Sequence, residues 1–326
     1  MQLFSACILI LSVFGSSILQ ASEKITVAVT IPPIQTFVEA IGGELTEVVH
    51  LVPAGQDLHT FAPKPSKMRE MLDVKLYLKL GGITAEDIWL ERLVSLNPSM
   101  KVMSITRGIE RIEMDAHHHH NEEEHHDEEE HHDEEEHHDE EEHHDEEEHH
   151  DEEEHHDEEE KSEDSYDPHI WLAPSNVKKM GAQILEHLLE SMPENEILLN
   201  KNYEKFISEV VETDNAIQKI LSRSDRSKGF LVFHPAWGYF AKDYGLSQVS
   251  IELEGKEPSP GELMEQLKEA KTLGIKNILI QPQRSSRMAK SLSESLGGKL
   301  IVLDPLSTDW SNTLKKAARE VAKSYE

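Results

Sequence analysis

One cysteine occurs in the 326 residues, Cys7, and it falls inside an apolar stretch at the N-terminus. A chain relieved of that stretch has no sulfur to form a disulfide and no thiolate to bind a metal. Imidazole and carboxylate are then the side chains left for metal binding. Basic residues are also scarce, 32 against 64 acids, and no basic patch suggests a nucleic-acid partner. No HExxH motif is present, so the usual signature of a zinc hydrolase is missing. Apart from the first 21 residues, no segment is apolar enough to span a bilayer. That first stretch runs from Leu3 through Leu19, and Gly15, Ser16 and Ser17 interrupt it too soon for an anchor. It predicts a secretory leader over 1–21, cleaved after Ala21, and hence a periplasmic protein.

What the chain has in excess is histidine and acid, gathered in one place. Six copies of HHDEEE run from His125 to Glu160, after a cluster at His117, His118, His119 and His120. The repeats add His125, His126, His131, His132, His137, His138, His143, His144, His149, His150, His155 and His156, so residues 117–160 hold 16 of the 21 histidines. No apolar residue interrupts the repeats, so the tract cannot build a core and is expected to be disordered in isolation. Paired imidazoles in a field of carboxylates suit divalent zinc, copper or nickel. Several weak, fast-exchanging ions per chain are expected there. The tract also distorts the net charge of −32: it contains 27 of the 64 acids and none of the 32 bases, which leaves 37 acids against 32 bases, or −5, elsewhere.

The remaining residues alternate between strand and helix patterns. Strands are predicted over 25–30, 47–52, 74–80 and 101–105, with helices at 34–41 and 66–72. Beyond the tract come helices at 176–192 and 194–221, the second with a stripe at Phe206, Val210, Thr213, Ile217 and Ile220. Strands at 229–234, 248–253, 277–281 and 299–304 then alternate with helices at 237–244, 260–273, 285–296 and from 309 onward. The pattern predicts an α/β fold of two lobes, each a mostly parallel sheet flanked by helices, joined by the long helix. The expected division is 22–193 for the first lobe, 194–222 for the linker helix and 223–326 for the second lobe.

Five histidines lie outside the tract. His59 sits in the turn-rich loop after the second strand, His169 follows Asp167-Pro168, and His234 ends a strand. Asp304 ends another. Ligands of such folds bind at the carboxyl ends of strands, in the cleft. Three imidazoles and one carboxylate can complete a tetrahedral zinc shell there. His50, within a strand, and His187, mid-helix, are expected to be solvent-facing or hydrogen-bonded residues.

Six segments carry a resemblance: 55–65 (GQDLHTFAPKP), 167–174 (DPHIWLAP), 233–240 (FHPAWGYF), 257–260 (EPSP), 281–284 (QPQR) and 303–310 (LDPLSTDW). In this order they resemble the metal-binding solute-binding proteins of bacterial ABC importers, in their zinc branch. The resemblance implies Zn2+ held by His59, His169 and His234, with Asp304 at the fourth position, in a monomer that is not an enzyme. It implies delivery to an ABC transporter permease, and indirectly to its ATPase, with an envelope zinc chaperone as a further candidate partner. In the manganese branch the position of His234 is typically Glu, so histidine favours a borderline metal. Some zinc members carry a disulfide in the second lobe, which this chain lacks. Other readings are a manganese or other divalent-metal importer subunit, or an envelope metal store or adhesin centred on the tract.

Overall fold

The computed structural model describes residues 24–113, 166–222, 229–252, 258–284 and 287–324. The predicted leader (1–21) and the histidine tract (117–160) lie outside these residues. Strands β1 (Ile25–Val29), β2 (Thr46–His50), β3 (Leu76–Lys79) and β4 (Lys101–Ser104) form one sheet in the order β2-β1-β3-β4. Strands β5 (Phe230–Val232), β6 (Gln248–Ser250), β7 (Ile278–Ile280) and β8 (Leu300–Val302) repeat that order as β6-β5-β7-β8. Every pairing is parallel. The inner strands are buried almost without a break, as in Val27-Ala28-Val29 and Phe230-Leu231-Val232, which is the mark of a sheet covered on both faces. In each sheet the chain steps to one side and then crosses to the other, so both have a switch point at the strands' carboxyl ends.

The covers are helices. α1 (Pro32–Gly42) buries Ile34, Phe37, Val38 and Ile41, and starts with prolines where a missing N–H costs nothing. α2 (Pro65–Glu70) and α3 (Thr84–Leu96) complete the first half. α4 (Pro174–Ser191) leads into α5 (Glu196–Leu221), and α6 (Gly238–Tyr244), α7 (Pro260–Thr272), α8 (Arg287–Ser295) and α9 (Trp310–Lys323) follow. α7 starts at a capping box in which Ser259 and Glu262 satisfy each other's backbone N–H.

α5 has 26 residues, a length of about 39 Å at 1.5 Å per residue. Its stripe of Leu199, Phe206, Val210, Thr213, Ile217 and Leu221 is buried, and it packs on α1 and α4 of the first half and on α9 of the second. Phe37 of α1 meets Phe206 of α5 at 5.5 Å and the edge of Trp310 at 5.6 Å, so one aromatic ring touches both. Phe230 and Val232 join the same cluster of buried apolar side chains as the first sheet. Leu231 and Phe233, on the opposite face of the strand, pack in a separate cluster with Ile278 and Ile280. The two halves therefore share a core, with a smaller one behind the second sheet.

The sequence pattern sets no bounds for α3, for a physical reason. Its buried face consists of Glu86, Trp89, Leu90 and Leu93, while Ile88, Val94 and Leu96 are exposed. A buried acid and three exposed aliphatics blur the apolar period on which such predictions rest. Several strands are also shorter than predicted: β5 and β8 have three residues each. Among the described residues no helix is long and apolar enough to cross a membrane.

Candidate metal centre

Each histidine of the centre is set by a short piece of local structure. His59 lies in the loop after β2, half-buried, and its backbone N–H donates to Asp57 Oδ1 at 2.9 Å. His169 stands before a single 3-10 turn, Ile170–Leu172, and its backbone N–H donates to Asp167 Oδ1 at 2.8 Å. Both are Asx turns, in which a carboxylate two residues back fixes the loop. His234 lies just beyond β5, and Ala236 N–H donates to its carbonyl at 2.8 Å.

The three rings converge. Centroid separations are 5.3 Å for His59–His169, 5.1 Å for His59–His234 and 5.3 Å for His169–His234. One ligand atom from each lies within 4.8 Å of the others. His169 and His234 are buried, at 2% and 4% exposure. Their Nδ1 atoms are held by carboxylates, Asp167 Oδ1 at 2.7 Å for His169 and Glu252 Oε2 at 2.8 Å for His234. A carboxylate only accepts, so each Nδ1 carries the proton and each Nε2 keeps its lone pair. A tetrahedral zinc shell with bonds of about 2.0–2.1 Å places nitrogens about 3.4 Å apart.

Asp304 is outside this group of three. It follows β8, and its Oδ1 accepts from Leu306 N–H at 3.0 Å and from Gln283 Nε2 at 3.4 Å. The next residue, Pro305, accepts the indole N–H of Trp171 at 2.8 Å, so the Asp304 turn is tied to the His169 turn. His50 pairs through Nδ1 with Gln35 Oε1 at 2.5 Å. Burial, and then the charge of Lys67, hold its pKa below the ordinary histidine value. His187 donates Nε2–H to the Ser104 carbonyl at 3.0 Å. Neither belongs to the centre. The sixteen tract histidines, 117–120 and 125–156, lie outside the described residues.

Two residues of the centre escaped the sequence analysis. Glu252 stood next to last in the predicted strand 248–253 with no role assigned, although an acid between Ile251 and Leu253 was the signal. Asp167 entered only as the neighbour of His169 and as part of the segment DPHIWLAP, with no role assigned. Gly238 explains part of another segment: a Cβ there would sit 2.6 Å from Asp167 Oδ2. Glycine lets the start of α6 close on the carboxylate that orients His169.

Residues 27–324 match the family model described as ZnuA, zinc-uptake complex component A, periplasmic. The chain belongs to this ZnuA family. The crystal structure of a ZnuA superimposes with a TM-score of 0.75 at 30% identity, over 93% of this chain and 100% of that one. An internal-deletion mutant of ZnuA with zinc bound gives the same score and identity, over 93% and 99%. Among curated relatives, zinc-binding protein AdcA of Streptococcus pyogenes is 28% identical over 291 residues, 88% of this chain and 51% of AdcA. The chain thus spans about half the length of the curated relatives it first matches. ZnuA proteins are periplasmic binding components of an uptake complex and not enzymes.

Proposed function

We propose that this ZnuA-family chain captures one zinc ion between its two halves, at His59, His169 and His234, and delivers it to the permease of an ABC importer. The observation that carries this is the convergence of three imidazoles from both halves, two of them turned Nε2-inward by buried carboxylates. Three nitrogens and no sulfur suit zinc and its borderline neighbours over a hard cation. The resemblance supplies Asp304 as the fourth ligand. One of its oxygens is engaged by Leu306 N–H, and the carboxylate stands on the turn tied to His169. The zinc-bound ZnuA and the zinc-binding AdcA support the choice of metal.

The lobes run over 22–193 and 223–326, with 194–222 as the linker helix. The shared core and the packing of α5 on both halves oppose wide opening, so capture orders loops more than it swings lobes. Binding deprotonated imidazoles releases protons, so zinc affinity falls on acidification. The histidine tract serves as a collector or sensor of weakly held zinc. Its chain leaves after Glu113 and returns at Tyr166, a pair joined by an antiparallel bridge, three residues before His169. Zinc carried there is concentrated beside the centre. The leader over 1–21 directs the chain to the periplasm, where it acts as a monomer and an envelope chaperone is a candidate source of zinc.

The test is competitive zinc titration of the wild type, of a His59→Ala/His169→Ala/His234→Ala variant, and of a chain lacking 117–160, with bound metal counted. The proposal expects one tight ion lost in the triple variant alone and several weak ions lost in the deletion alone. Tight binding that survives the triple variant refutes it.

A further inference from the structure

The segment QPQR, 281–284, has no part in the centre described above, yet it lies beside the expected fourth ligand. β7 and β8 run side by side, with Ile280 opposite Val302, and Leu303 N–H donates to the Ile280 carbonyl at 2.9 Å. The chain leaves β7 into a single 3-10 turn, Pro282–Arg284, and leaves β8 through Leu303 into Asp304. Gln283 and Asp304 therefore meet at the carboxyl ends of neighbouring strands. Asp304 Oδ1 accepts from Leu306 N–H at 3.0 Å and from Gln283 Nε2 at 3.4 Å, the longer and weaker of the two bonds. A carboxylate only accepts, so the amide nitrogen is the atom that faces it. The amide oxygen, Oε1, is buried and has no donor among the described residues. A buried acceptor left unpaired costs free energy, so what this glutamine contributes lies on its nitrogen side.

This inference rests on the proposed zinc site, with Asp304 as its fourth ligand. We propose that Gln283 is a positioning and specificity-determining residue of that site: its Nε2–H and Leu306 N–H together occupy Oδ1 of Asp304 and leave Oδ2 alone to meet the ion. A carboxylate oxygen has two lone pairs, and two donors take both on Oδ1. Asp304 then binds through one oxygen. Three imidazole nitrogens and one carboxylate oxygen are four donors, the number zinc takes in tetrahedral sites. Harder cations such as manganese and calcium favour more oxygen ligands, and calcium readily takes both oxygens of a carboxylate. With Oδ1 occupied, the site offers them no fifth donor. The first half contains the same turn, in which Asp167 Oδ1 accepts from the N–H two residues on and from the ring of His169. On Asp304, Gln283 takes the place of that ring.

The readout is the ratio of zinc to manganese affinity, because a change of nearby charge acts on both dications alike. Gln283→Met keeps the length of the side chain and has no donor. Gln283→Lys restores an N–H donor on a different shape. Each full-length protein is stripped of metal, checked for an unchanged apo circular dichroism spectrum, and loaded with cobalt(II) below one equivalent. The cobalt d–d band is recorded, since it weakens when a fifth ligand joins, and the cobalt is then displaced by zinc or by manganese. The histidine tract is identical in every variant, so its weak sites cancel in the comparison. Gln283→Met is expected to lower the zinc-to-manganese ratio about tenfold, the low end for a ligand's outer partner, and to weaken the cobalt band. Gln283→Lys is expected to keep the wild-type ratio. An unchanged ratio in Gln283→Met would overturn the proposal. An equal fall in both variants would overturn it too, leaving shape in place of the donor. Asp304→Ala and His234→Ala are the controls for the underlying reading. Tight cobalt that survives His234→Ala places the site elsewhere. If Asp304→Ala keeps the wild-type ratio and band, Asp304 is no ligand and the role of Gln283 falls with it. If Asp304→Ala changes both while Gln283→Met changes neither, the fourth ligand stands and the role of Gln283 alone falls.

Discussion

The indole N–H of Trp310 donates to the backbone carbonyl of Trp171 at 2.7 Å. Trp171 in turn donates its own indole N–H to the Pro305 carbonyl at 2.8 Å. Trp171 comes two residues after His169, while Trp310 opens α9 and Pro305 follows Asp304. The two tryptophans therefore clasp the halves beside the centre. The ring of Trp171 also lies 5.3 Å from that of His169, close enough to sense a cation on the imidazole. Zinc at substoichiometric ratio is expected to change tryptophan emission, and Trp171→Phe to abolish most of the change. The same substitution leaves the buried Pro305 carbonyl without its donor, for a loss of about 1–3 kcal/mol, measurable by urea unfolding of the apo protein. An emission change that persists undiminished in Trp171→Phe would assign the signal to another of the four tryptophans.

Gly238 touches none of the three imidazoles, yet its replacement should weaken zinc binding. A methyl group there would meet Asp167 Oδ2 at 2.6 Å, inside any real contact distance. The carboxylate must shift, and its other oxygen holds both the backbone and Nδ1 of His169. Gly238→Ala is expected to keep the fold and to lose about tenfold or more in zinc affinity, the range typical of disturbing a ligand's outer partner. Calorimetry of the apo protein beside zinc competition separates the two effects. Unchanged affinity would mean that Asp167 relaxes without dragging His169.

These two cases show what the sequence made legible and what it hid. His59, His169 and His234 were readable because each is an imidazole in a loop or at a strand end, and strand ends converge in parallel α/β folds. The strand–helix alternation was readable for the same reason that the strands are apolar: both faces are covered. Asp304 was also at a strand end, but position along a strand does not say how far a turn carries a side chain, and it stands outside the triad. Glu252 was hidden because its partner, His234, is 18 residues away and on a different strand. The bounds of the helix at Thr84–Leu96 were hidden because its buried face contains Glu86.

Phe37 links helix to helix, which makes it a test of the shared core. It is 2% exposed and packs between Phe206 and Trp310. Phe37→Ala removes a ring from a site bounded by three helices and is expected to cost about 3–5 kcal/mol. Because both halves contribute to that site, the loss should appear in a single unfolding transition, read by circular dichroism and tryptophan emission together. Two separated transitions would instead show that the halves unfold independently.

Glu86 gives the chain a pH dependence that involves none of the three imidazoles. It is fully buried and accepts from Leu80 N–H at 3.1 Å, Gly81 N–H at 2.6 Å, Tyr77 OH at 3.3 Å and the hydroxyl of Thr30. Burial raises its pKa above the ordinary 4.5, against the pull of these donors, and burial followed by the Glu86 charge raises that of Tyr77 well above 10.0. A carboxyl group with a raised folded-state pKa holds its proton more tightly in the folded chain than in the unfolded one. Its contribution to stability is complete below pH 4.5 and is lost as pH rises through the higher folded value. Glu86→Gln cannot titrate, so the stability of the wild type relative to this variant should fall on going from pH 4 toward neutrality, and then level off. Urea unfolding of both proteins across that range measures the difference and cancels every other titrating group they share. Glu86→Ala would leave the Leu80 and Gly81 amides unpaired, at about 1–3 kcal/mol each. A difference between wild type and Glu86→Gln that stays flat across the range would mean that the carboxyl group titrates alike in the folded and unfolded chains, its donors just offsetting its burial, and a difference that rises would mean that the donors outweigh burial.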